Sequence, residues 1–315
     1  MTTSRAAIAG LVVGLDIGGT KTSGVVFGPD DVVLGSVRLA TARGVDGVVA
    51  TAAEAVRTLV RDAGTTPDAL VGVGIGVPGV VDCSTGTVAH AVNLGLPGDP
   101  TPLTGLMSRV LGGVRVRAEN DLNVAALGAA HAAGAPPDLA FLALGTGLAA
   151  GLLMDGRLRR GAFGAAGEIG HLPYVLDGPR CACGQRGCLE LYASGASIDA
   201  RWPGSVDVPP PAALFAAAAQ GDPTAVALRD DFARAVAAAV RILVLTTDVA
   251  VVVLGGGVSE VGEPLGAAVR AALDAQSAGS EFLASMRIGA RIRLAPRGVP
   301  LAAIGAGLVG RGTVG

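Results

Sequence analysis

The stretch from Gly161 to Glu190 contains the side chains of this sequence that are best suited to bind a metal ion. It holds His171, Cys181, Cys183 and Cys188, with the cysteines in the spacing C-x-C-x4-C and the histidine ten residues upstream. One imidazole and three thiolates can supply the four tetrahedral ligands that a structural Zn²⁺ ion prefers. Four protein ligands leave no open position for a substrate, so we expect the ion to hold the loop in shape.

Two alternatives remain for these cysteines. Cys181 and Cys188 could form a disulfide, or all three could be buried free thiols. An odd number of clustered cysteines disfavours a simple pair. The segment 1–10 also lacks the pattern of a signal peptide, which favours a reducing, cytoplasmic location. Zinc is therefore the favoured interpretation.

A second candidate site begins at Asp16, which ends an apolar stretch and is followed at once by a glycine turn. The free backbone N–H groups of Gly18 and Gly19 can face an anion, and Thr20 and Lys21 add donors. Asp16 could hold a hydrated Mg²⁺ ion, which prefers one or two carboxylates together with phosphate oxygens. The alternative is a simple hairpin in which Asp16 caps the turn.

A third cluster of polar residues, 119–123, directly follows a predicted strand and opens a predicted helix. Asn120 or Asp121 could be an ordinary N-cap of that helix. Polar residues at the carboxyl end of a strand also mark the usual ligand crevice of open α/β sheets. Asp121 is the candidate general base.

Hydrophobic patterning predicts the elements that position these clusters. Three short strands with intervening turn signals predict an antiparallel meander, followed by alternating helices and strands, and the second half repeats this order after a Gly-Thr turn. The predicted elements are strands 11–16, 24–27, 32–39, 70–77, 114–118, 139–144, 148–154, 249–254 and 291–294, and helices 45–63, 103–111, 119–133, 224–245, 264–275 and 301–309. A proline-rich insert at 202–211 predicts a surface loop. The pattern indicates a duplicated α/β architecture.

The length, net charge and apolar runs of the chain limit the number of domains and the classes of partner that we expect. A chain of 315 residues can form two domains with separate cores. A net charge of -2 gives no electrostatic footprint for nucleic acid. The apolar runs are of strand length, so we expect no membrane span.

Taken in order, five motifs resemble those of the ROK family of sugar kinases, repressors and open reading frames. They are LDIGGTKT at 15–22, ENDLNVAALG at 119–128, LGT at 144–146, GEIGH at 167–171 and CACGQRGCLE at 181–190. The resemblance implies two actin/hexokinase-like (ribonuclease H-like) α/β domains, with mixed sheets flanked by helices and a cleft between them. The implied domains are 1–118, completed by the C-terminal helix 297–315, and 119–296, which carries the zinc loop 168–190. Ten residues before Leu11 leave no room for a DNA-binding helix-turn-helix, so we expect a kinase.

The same resemblance implies the role of each motif. Asp121 would take the proton from a sugar hydroxyl as that hydroxyl attacks the γ-phosphorus of ATP. ATP and Mg²⁺ would be the cofactors, with Zn²⁺ as a structural ion, and a homodimer or homotetramer is implied. The sugar contacts implied are Asn93, Asn120, Glu168, His171 and Glu190, with His171 using its other ring nitrogen for zinc. The nucleotide contacts implied are Asp16, Gly18, Gly19, Thr20, Lys21, Gly145, Thr146, Gly147, Gly255, Gly256 and Gly257.

One departure from the family pattern is the segment after the second phosphate motif, where Ala149 and Ala150 stand in place of glycines. Their methyl groups could crowd a phosphate or could lie on the strand face, and we expect the second.

A glucokinase-like activity that makes hexose 6-phosphate is the leading hypothesis. The alternatives are a kinase for N-acetylmannosamine, N-acetylglucosamine or fructose, polyphosphate as the donor, or a catalytically silent sugar sensor. The presence of Asp16 and Asp121 disfavours the sensor, which needs neither carboxylate. Loops such as 80–97 would decide which sugar binds.

Overall fold

The computed structural model describes residues 10–30, 32–96, 98–204 and 207–312. Residues 1–9, most of the segment in which we predicted no signal peptide, lie outside this range, as do Asp31 and Pro97 within predicted turns and loops. The chain divides into two compact units. The first comprises residues 1–135, 160–164 and 298–315, and the second comprises 136–159 and 165–297.

The first unit contains a five-stranded mixed sheet in the order β3-β2-β1-β4-β7. The first three strands are antiparallel, whereas β1, β4 and β7 run parallel to one another. Its elements up to residue 135 are β1 (Leu11–Ile17), β2 (Lys21–Phe27), β3 (Val33–Ala40), α1 (Val45–Asp62), β4 (Leu70–Val77), β5 (Val80–Asp82), β6 (Thr87–Ala89), α2 (Leu103–Val110), β7 (Val116–Asn120) and α3 (Asp121–Ala132). The predicted meander and the helix–strand alternation are confirmed.

The second unit repeats this arrangement in a sheet of order β10-β9-β8-β11-β12. Here β8, β9 and β10 are antiparallel, and β8, β11 and β12 are parallel. Its elements are β8 (Leu139–Leu144), β9 (Leu148–Met154), β10 (Arg157–Leu158), α4 (Glu190–Ala193), α5 (Gly195–Asp199), α6 (Pro210–Ala219), α7 (Pro223–Thr247), β11 (Val251–Gly255), α8 (Glu263–Ser277), α9 (Glu281–Ser285) and β12 (Ile292–Leu294). The predicted duplication of an α/β unit with a mixed sheet is therefore confirmed.

The last helix, α10 (Leu301–Arg311), returns to the first unit and packs against α3, β1 and β4. Glycines allow the backbones to touch. A Cβ added to Gly74 would lie 1.7 Å from the Ala306 carbonyl oxygen, and one added to Gly14 would lie 2.0 Å from that of Ala303. A Cβ on Gly128 of α3 would lie 1.9 Å from the carbonyl oxygen of Leu301. A larger residue at any of these glycine positions would push α10 away from β1, β4 or α3.

Each unit has its own apolar core. In the first, one face of β1 (Leu11, Val13, Leu15) is buried with α1, as the period of two along a strand requires. The opposite face of that sheet receives α10, where Phe27 packs against Ala303 and Ile304. In the second unit, β8, β9 and β11 pack against the buried faces of α7 and α8. Because each sheet is packed in an apolar core, the ends of its strands are held in fixed positions.

Several predicted boundaries differ from the structure. The first domain was predicted to end at residue 118, but α3 packs along α10 of the first unit, which therefore continues to residue 135. The loop predicted at 202–211 ends at Pro209, because Pro210 and Pro211 begin α6, where a missing backbone N–H is tolerated; residues 205–206 lie outside the described range. The segment 80–97, predicted to be a loop, contains the hairpin β5–β6.

Short helices of the second unit, α4, α5 and α9, were not predicted, since four or five residues carry too little periodicity. Over the part of the chain that the structure describes, none of the helices combines the length and the apolar composition that a membrane span requires.

Candidate functional site

Parallel strands bring two of the predicted clusters to one edge of the first sheet. Asp16 in β1 lies opposite Gly76 in β4, and Gly76 lies opposite Glu119 in β7. The carboxyl ends of parallel strands face the same side, so Asp16 and Asp121 emerge at the same edge. The two acids that the sequence assigned to Mg²⁺ and to proton transfer are therefore neighbours.

The N-terminus of α3 is fixed by Asn120, which is the N-cap. Its Oδ1 accepts hydrogen bonds from the backbone N–H groups of Leu122 (2.9 Å) and Asn123 (3.4 Å), and its Nδ2 donates to the Gly79 carbonyl oxygen (3.2 Å). Asp121 stands in the first turn and its Oδ1 also accepts from the Leu122 N–H (2.9 Å). A carboxylate at this position is favoured by the helix dipole.

The electrostatic environment of Asp16 reflects this crowding. The pKa of Asp16 is raised to about 6, chiefly by burial and also by the nearby carboxylate of Asp121, while Lys21 opposes both effects. The ionised form of Asp16 is thus disfavoured until a cation shares the site. A Mg²⁺ ion fits these donors, since it takes oxygen ligands from one or two carboxylates.

The first glycine turn lies directly against Asn93. A Cβ on Gly19 would be 2.8 Å from the Asn93 carbonyl oxygen, so only a glycine permits this approach. The turn that carries Asn93 is held by Arg43, whose Nη2 donates to the Val92 carbonyl oxygen (3.2 Å), and by a bond from the Gly44 N–H to the Leu94 carbonyl oxygen (2.8 Å). Asn93, Thr20 and Lys21 are exposed and accessible to ligands.

The second unit places its two predicted nucleotide turns side by side. Gly255 at the end of β11 lies opposite Ala143 near the end of the parallel strand β8. Gly256 has φ of 81° and packs on Leu144, whose carbonyl oxygen would lie 2.6 Å from an added Cβ. The turn of Gly145, Thr146 and Gly147 follows Leu144 immediately, so both turns share one strand edge. Gly257 has open space at its Cβ position, where a ligand could approach.

The two alanines after this turn lie on β9. Ala150 is buried in the core of the second unit, and its backbone N–H donates to the Gly167 carbonyl oxygen (2.9 Å). Ala149 lies opposite Ala143 of β8 and is half-buried. The loop with Glu168 thus lies along β9, where glycine at 167 is required because a Cβ would be 1.9 Å from the Ala150 carbonyl oxygen.

The predicted metal ligands come together in the second unit. The ligand atoms of His171, Cys181, Cys183 and Cys188 all lie within 4.8 Å of one another. The Cys183 and Cys188 Sγ atoms are 3.6 Å apart, and Cys181 Sγ is 4.0 Å from His171 Nδ1. Four donors about 2.0–2.3 Å from a common centre would show such separations, which exceed the roughly 2.05 Å of a disulfide bond. The donor set is compatible with Zn²⁺.

Glu190 lies between this cluster and the turn 145–147. Its Oε1 is 2.9 Å from Cys181 Sγ and 3.4 Å from His171 Nδ1, and its Oε2 would be 3.2 Å from a Cβ on Gly147. The structure therefore brings two of the predicted sugar contacts, Glu190 and His171, next to each other. Glu168, three residues before His171, is exposed at the start of the same short helical turn.

Two residues to which the sequence assigned no role join the first-unit site. Glu119 is 1% exposed, and its Oε2 accepts from Arg160 Nε at 2.7 Å. An acid at the end of a buried strand was a usable signal for Glu119. Arg160 had no comparable signal, because 41 residues separate it from its partner.

The family follows from comparison with known proteins. The sequence model of the ROK family matches residues 12–306. The chain belongs to the ROK family. It is 32% identical over 274 residues to a glucokinase from Streptomyces coelicolor (81% of this chain, 84% of the relative) and 32% identical over 245 residues to an N-acetylmannosamine kinase from Yersinia pseudotuberculosis (78% and 82%). A ROK family glucokinase from Streptomyces griseus, solved with glucose and AMPPNP, superposes with a TM-score of 0.78 at 32% identity (96% of this chain, 100% of that chain).

These relatives confirm the predicted actin/hexokinase-like fold class. They also support the general activity of a sugar kinase that uses ATP, since the named relatives are kinases of glucose and of N-acetylmannosamine. The identity of the sugar is a separate question.

The raised pKa of Asp16 predicts a pH-dependent stability effect. An unfolded aspartate ionises near 3.8, whereas folded Asp16 keeps its proton to about 6. The folded state therefore binds the extra proton, and wild-type stability from this group is lost as the pH rises from about 4 to about 6. Asp16→Asn should raise the free energy of unfolding at pH 7.5 by about 3 kcal/mol and by much less at pH 4.

Urea denaturation of the nucleotide-free protein at the two pH values measures this difference. Asp199→Asn, at an exposed position of α5, controls for the general loss of a carboxylate. Equal destabilisation by Asp16→Asn at both pH values would contradict the assigned environment.

Proposed function

We propose that this protein is an ATP-dependent hexose kinase of the glucokinase type, which transfers the γ-phosphate of ATP to a sugar hydroxyl and gives hexose 6-phosphate. The observation that carries the proposal is the placement of Asp16 and Asp121 at one sheet edge. In phosphoryl transfer the protein mainly positions the reactants and neutralises charge. Such an edge can serve both needs, because one acid can hold a cation and the other can take a proton.

Asp121 is the proposed general base. It would accept the proton of the sugar hydroxyl as the oxygen attacks the γ-phosphorus, a transfer that requires hydrogen-bond distance between carboxylate and hydroxyl. Its place in the first turn of α3 fixes the backbone from which the carboxylate projects, and the Leu122 N–H group donates to it. A pure sugar sensor would need neither Asp121 nor Asp16.

The glycine turns are the proposed phosphate and nucleoside contacts. In the first unit Gly18, Gly19, Thr20 and Lys21 would donate to phosphate oxygens, with Asp16 holding Mg²⁺. When bound, Mg²⁺ neutralises charge that develops on the transferred phosphoryl group. In the second unit the adjacent turns 145–147 and 255–257 let backbone approach a ligand closely, as glycine permits.

We assign sugar recognition to Asn93 and Asn120 in the first unit and to Glu168, His171 and Glu190 in the second. Amides and carboxylates pair with hydroxyl groups, which both donate and accept. Glucose is the leading substrate because relatives of this chain in two Streptomyces species are glucokinases. N-acetylmannosamine is the second candidate because a kinase for that sugar matches 78% of the chain at the same identity.

We also propose that His171, Cys181, Cys183 and Cys188 hold a structural Zn²⁺ ion. His171 Nδ1 faces the cysteines, which leaves Nε2 as the ring nitrogen for a sugar hydroxyl. The ion would fix the loop on which Glu190 is held beside the cluster. Zinc would therefore affect sugar recognition indirectly, by holding His171 and Glu190 in the positions from which they contact the sugar.

The kinase proposal predicts sugar-dependent ADP release. Wild-type protein with Mg-ATP should release ADP with glucose above all other sugars in a panel of glucose, mannose, fructose, N-acetylmannosamine and N-acetylglucosamine. Asp121→Asn should lower kcat by about 100-fold or more, within the range for loss of a general base, while sugar binding measured by calorimetry persists.

Asp222→Asn is the matched control, since Asp222 is also an aspartate at a helix N-terminus but caps α7. It should retain full activity. Release of ADP by Asp121→Asn at the wild-type rate would overturn the assigned base, and absence of release with every sugar would overturn the kinase proposal.

The zinc proposal predicts that Cys183→Ser loses the ion and lowers the melting temperature, because three ligands bind Zn²⁺ more weakly than four and the loop loses its cross-link. Metal content by mass spectrometry should fall from about one ion per chain in the wild type to well below that. Cys83→Ser, at a cysteine outside the cluster, should keep the wild-type zinc content. Unchanged zinc in Cys183→Ser would contradict the proposed ligand set.

A further inference from the structure

Glu119 is a buried carboxylate placed immediately before the proposed catalytic segment. It lies in β7 and is followed in the sequence by Asn120 and then Asp121. Glu119 is only 1% exposed. A carboxylate at this depth requires hydrogen bonds and an opposite charge, because an unpaired buried charge is costly.

Both oxygens of Glu119 are engaged. Oε1 accepts from the backbone N–H of Asn120 (2.9 Å) and from Asn123 Nδ2 (2.8 Å). Oε2 accepts from Arg160 Nε (2.7 Å) and Nη2 (2.6 Å), and Cys83 Sγ lies 3.5 Å from it. Glu119 is thereby bonded on both sides of the segment that carries Asp121.

These contacts define how the first turn of α3 is held. Asn120 caps the helix with its side chain while its backbone N–H is fixed by Glu119, and Asn123 one turn later is fixed by the same oxygen. Arg160 in turn fixes the second oxygen of Glu119 and balances its charge. The position of the first turn of α3 therefore depends on the guanidinium group of Arg160, a residue that is distant in the sequence.

Arg160 begins the segment 160–164, which belongs to the first unit although the chain on either side belongs to the second. Gly161 and Gly164 both have positive φ, 78° and 75°, so the chain leaves Arg160 through conformations that favour glycine. Glu168 follows a few residues later. The side chain of Arg160 is 35% exposed, against 2% for that of Glu119, so the guanidinium covers the buried acid from the solvent side.

We propose that Arg160 is a positioning residue for phosphoryl transfer, acting through Glu119 to hold Asn120 and Asp121 at the start of α3. This inference rests on the proposed kinase function. Its physical basis is that loss of Arg160 leaves a buried charge at Glu119, which the structure can relieve by moving the first turn of α3 toward solvent. A small displacement of a catalytic group can greatly lower the rate of the chemical step.

The test compares four variants by steady-state kinetics and by hydrogen exchange with mass spectrometry. Arg160→Met keeps the length of the side chain but removes its charge, and should lower kcat by about ten-fold or more while raising the KM for sugar and leaving the KM for ATP within about two-fold. Arg160→Lys should recover part of kcat, since it restores the charge but not the geometry. The double variant Glu119→Gln/Arg160→Met should have a higher kcat than Arg160→Met alone, because it no longer carries an unpaired buried charge at position 119.

Arg291→Met is the matched control, because Arg291 also pairs with an acid, Asp248, at 2.7 Å, but in the second unit. It should leave kcat and both KM values unchanged. In hydrogen exchange, Arg160→Met should accelerate exchange in peptides that cover the start of α3, and Arg291→Met should not.

Wild-type kcat in Arg160→Met, with unchanged exchange at α3, would overturn the inference even if the melting temperature falls. If the wild type itself shows no sugar-dependent ADP release, the kinase proposal fails and hydrogen exchange decides the structural part alone. Faster exchange confined to the start of α3 would then support the positioning role, and unchanged exchange would overturn it.

Discussion

Direct backbone packing of α10 against α3, β1 and β4 is the constraint on which the first-unit site depends. Glycines at 14, 74 and 128 let these elements approach so closely that a single added Cβ would overlap a carbonyl oxygen. Asp16 lies near the end of β1 and Asp121 begins α3, so a helix that touches both elements fixes the distance between the two acids. A well-packed contact of this kind deforms little, which suits a site that must hold charged groups in register.

That site is assembled against an electrostatic cost. Burial raises the pKa of Asp16, and Asp121 adds repulsion beside it. Glu119 brings a third carboxylate into the same neighbourhood, compensated by Arg160 and by the Asn120 and Asn123 donors. Groups that are unfavourable for stability are commonly retained at functional sites, since catalysis requires them. Binding of a cation would relieve the repulsion between Asp16 and Asp121.

Much of this organisation was predictable from the sequence because it rests on local signals. The alternation of apolar residues located the strands, and the glycine turn after Asp16 predicted a ligand loop. The Cys and His spacing located the cluster that the structure brings within metal-binding distance. Long-range packing was not predictable. The assignment of α3 to the first unit depends on α10, more than 150 residues away, and the pairing of Arg160 with Glu119 has no local pattern. Hairpin β5–β6 was missed because three-residue strands show too little alternation.

A crystal structure with glucose, Mg²⁺ and a non-hydrolysable ATP analogue tests the role of Asp121 most directly. If Asp121 is the general base, one of its carboxylate oxygens should lie about 2.6–3.2 Å from the sugar hydroxyl that faces the γ-phosphorus. Mg²⁺ should lie near Asp16 and beside the phosphates. A hydroxyl that faces the γ-phosphorus but is bonded to another side chain, with Asp121 directed elsewhere, would contradict the assignment of Asp121 as the general base.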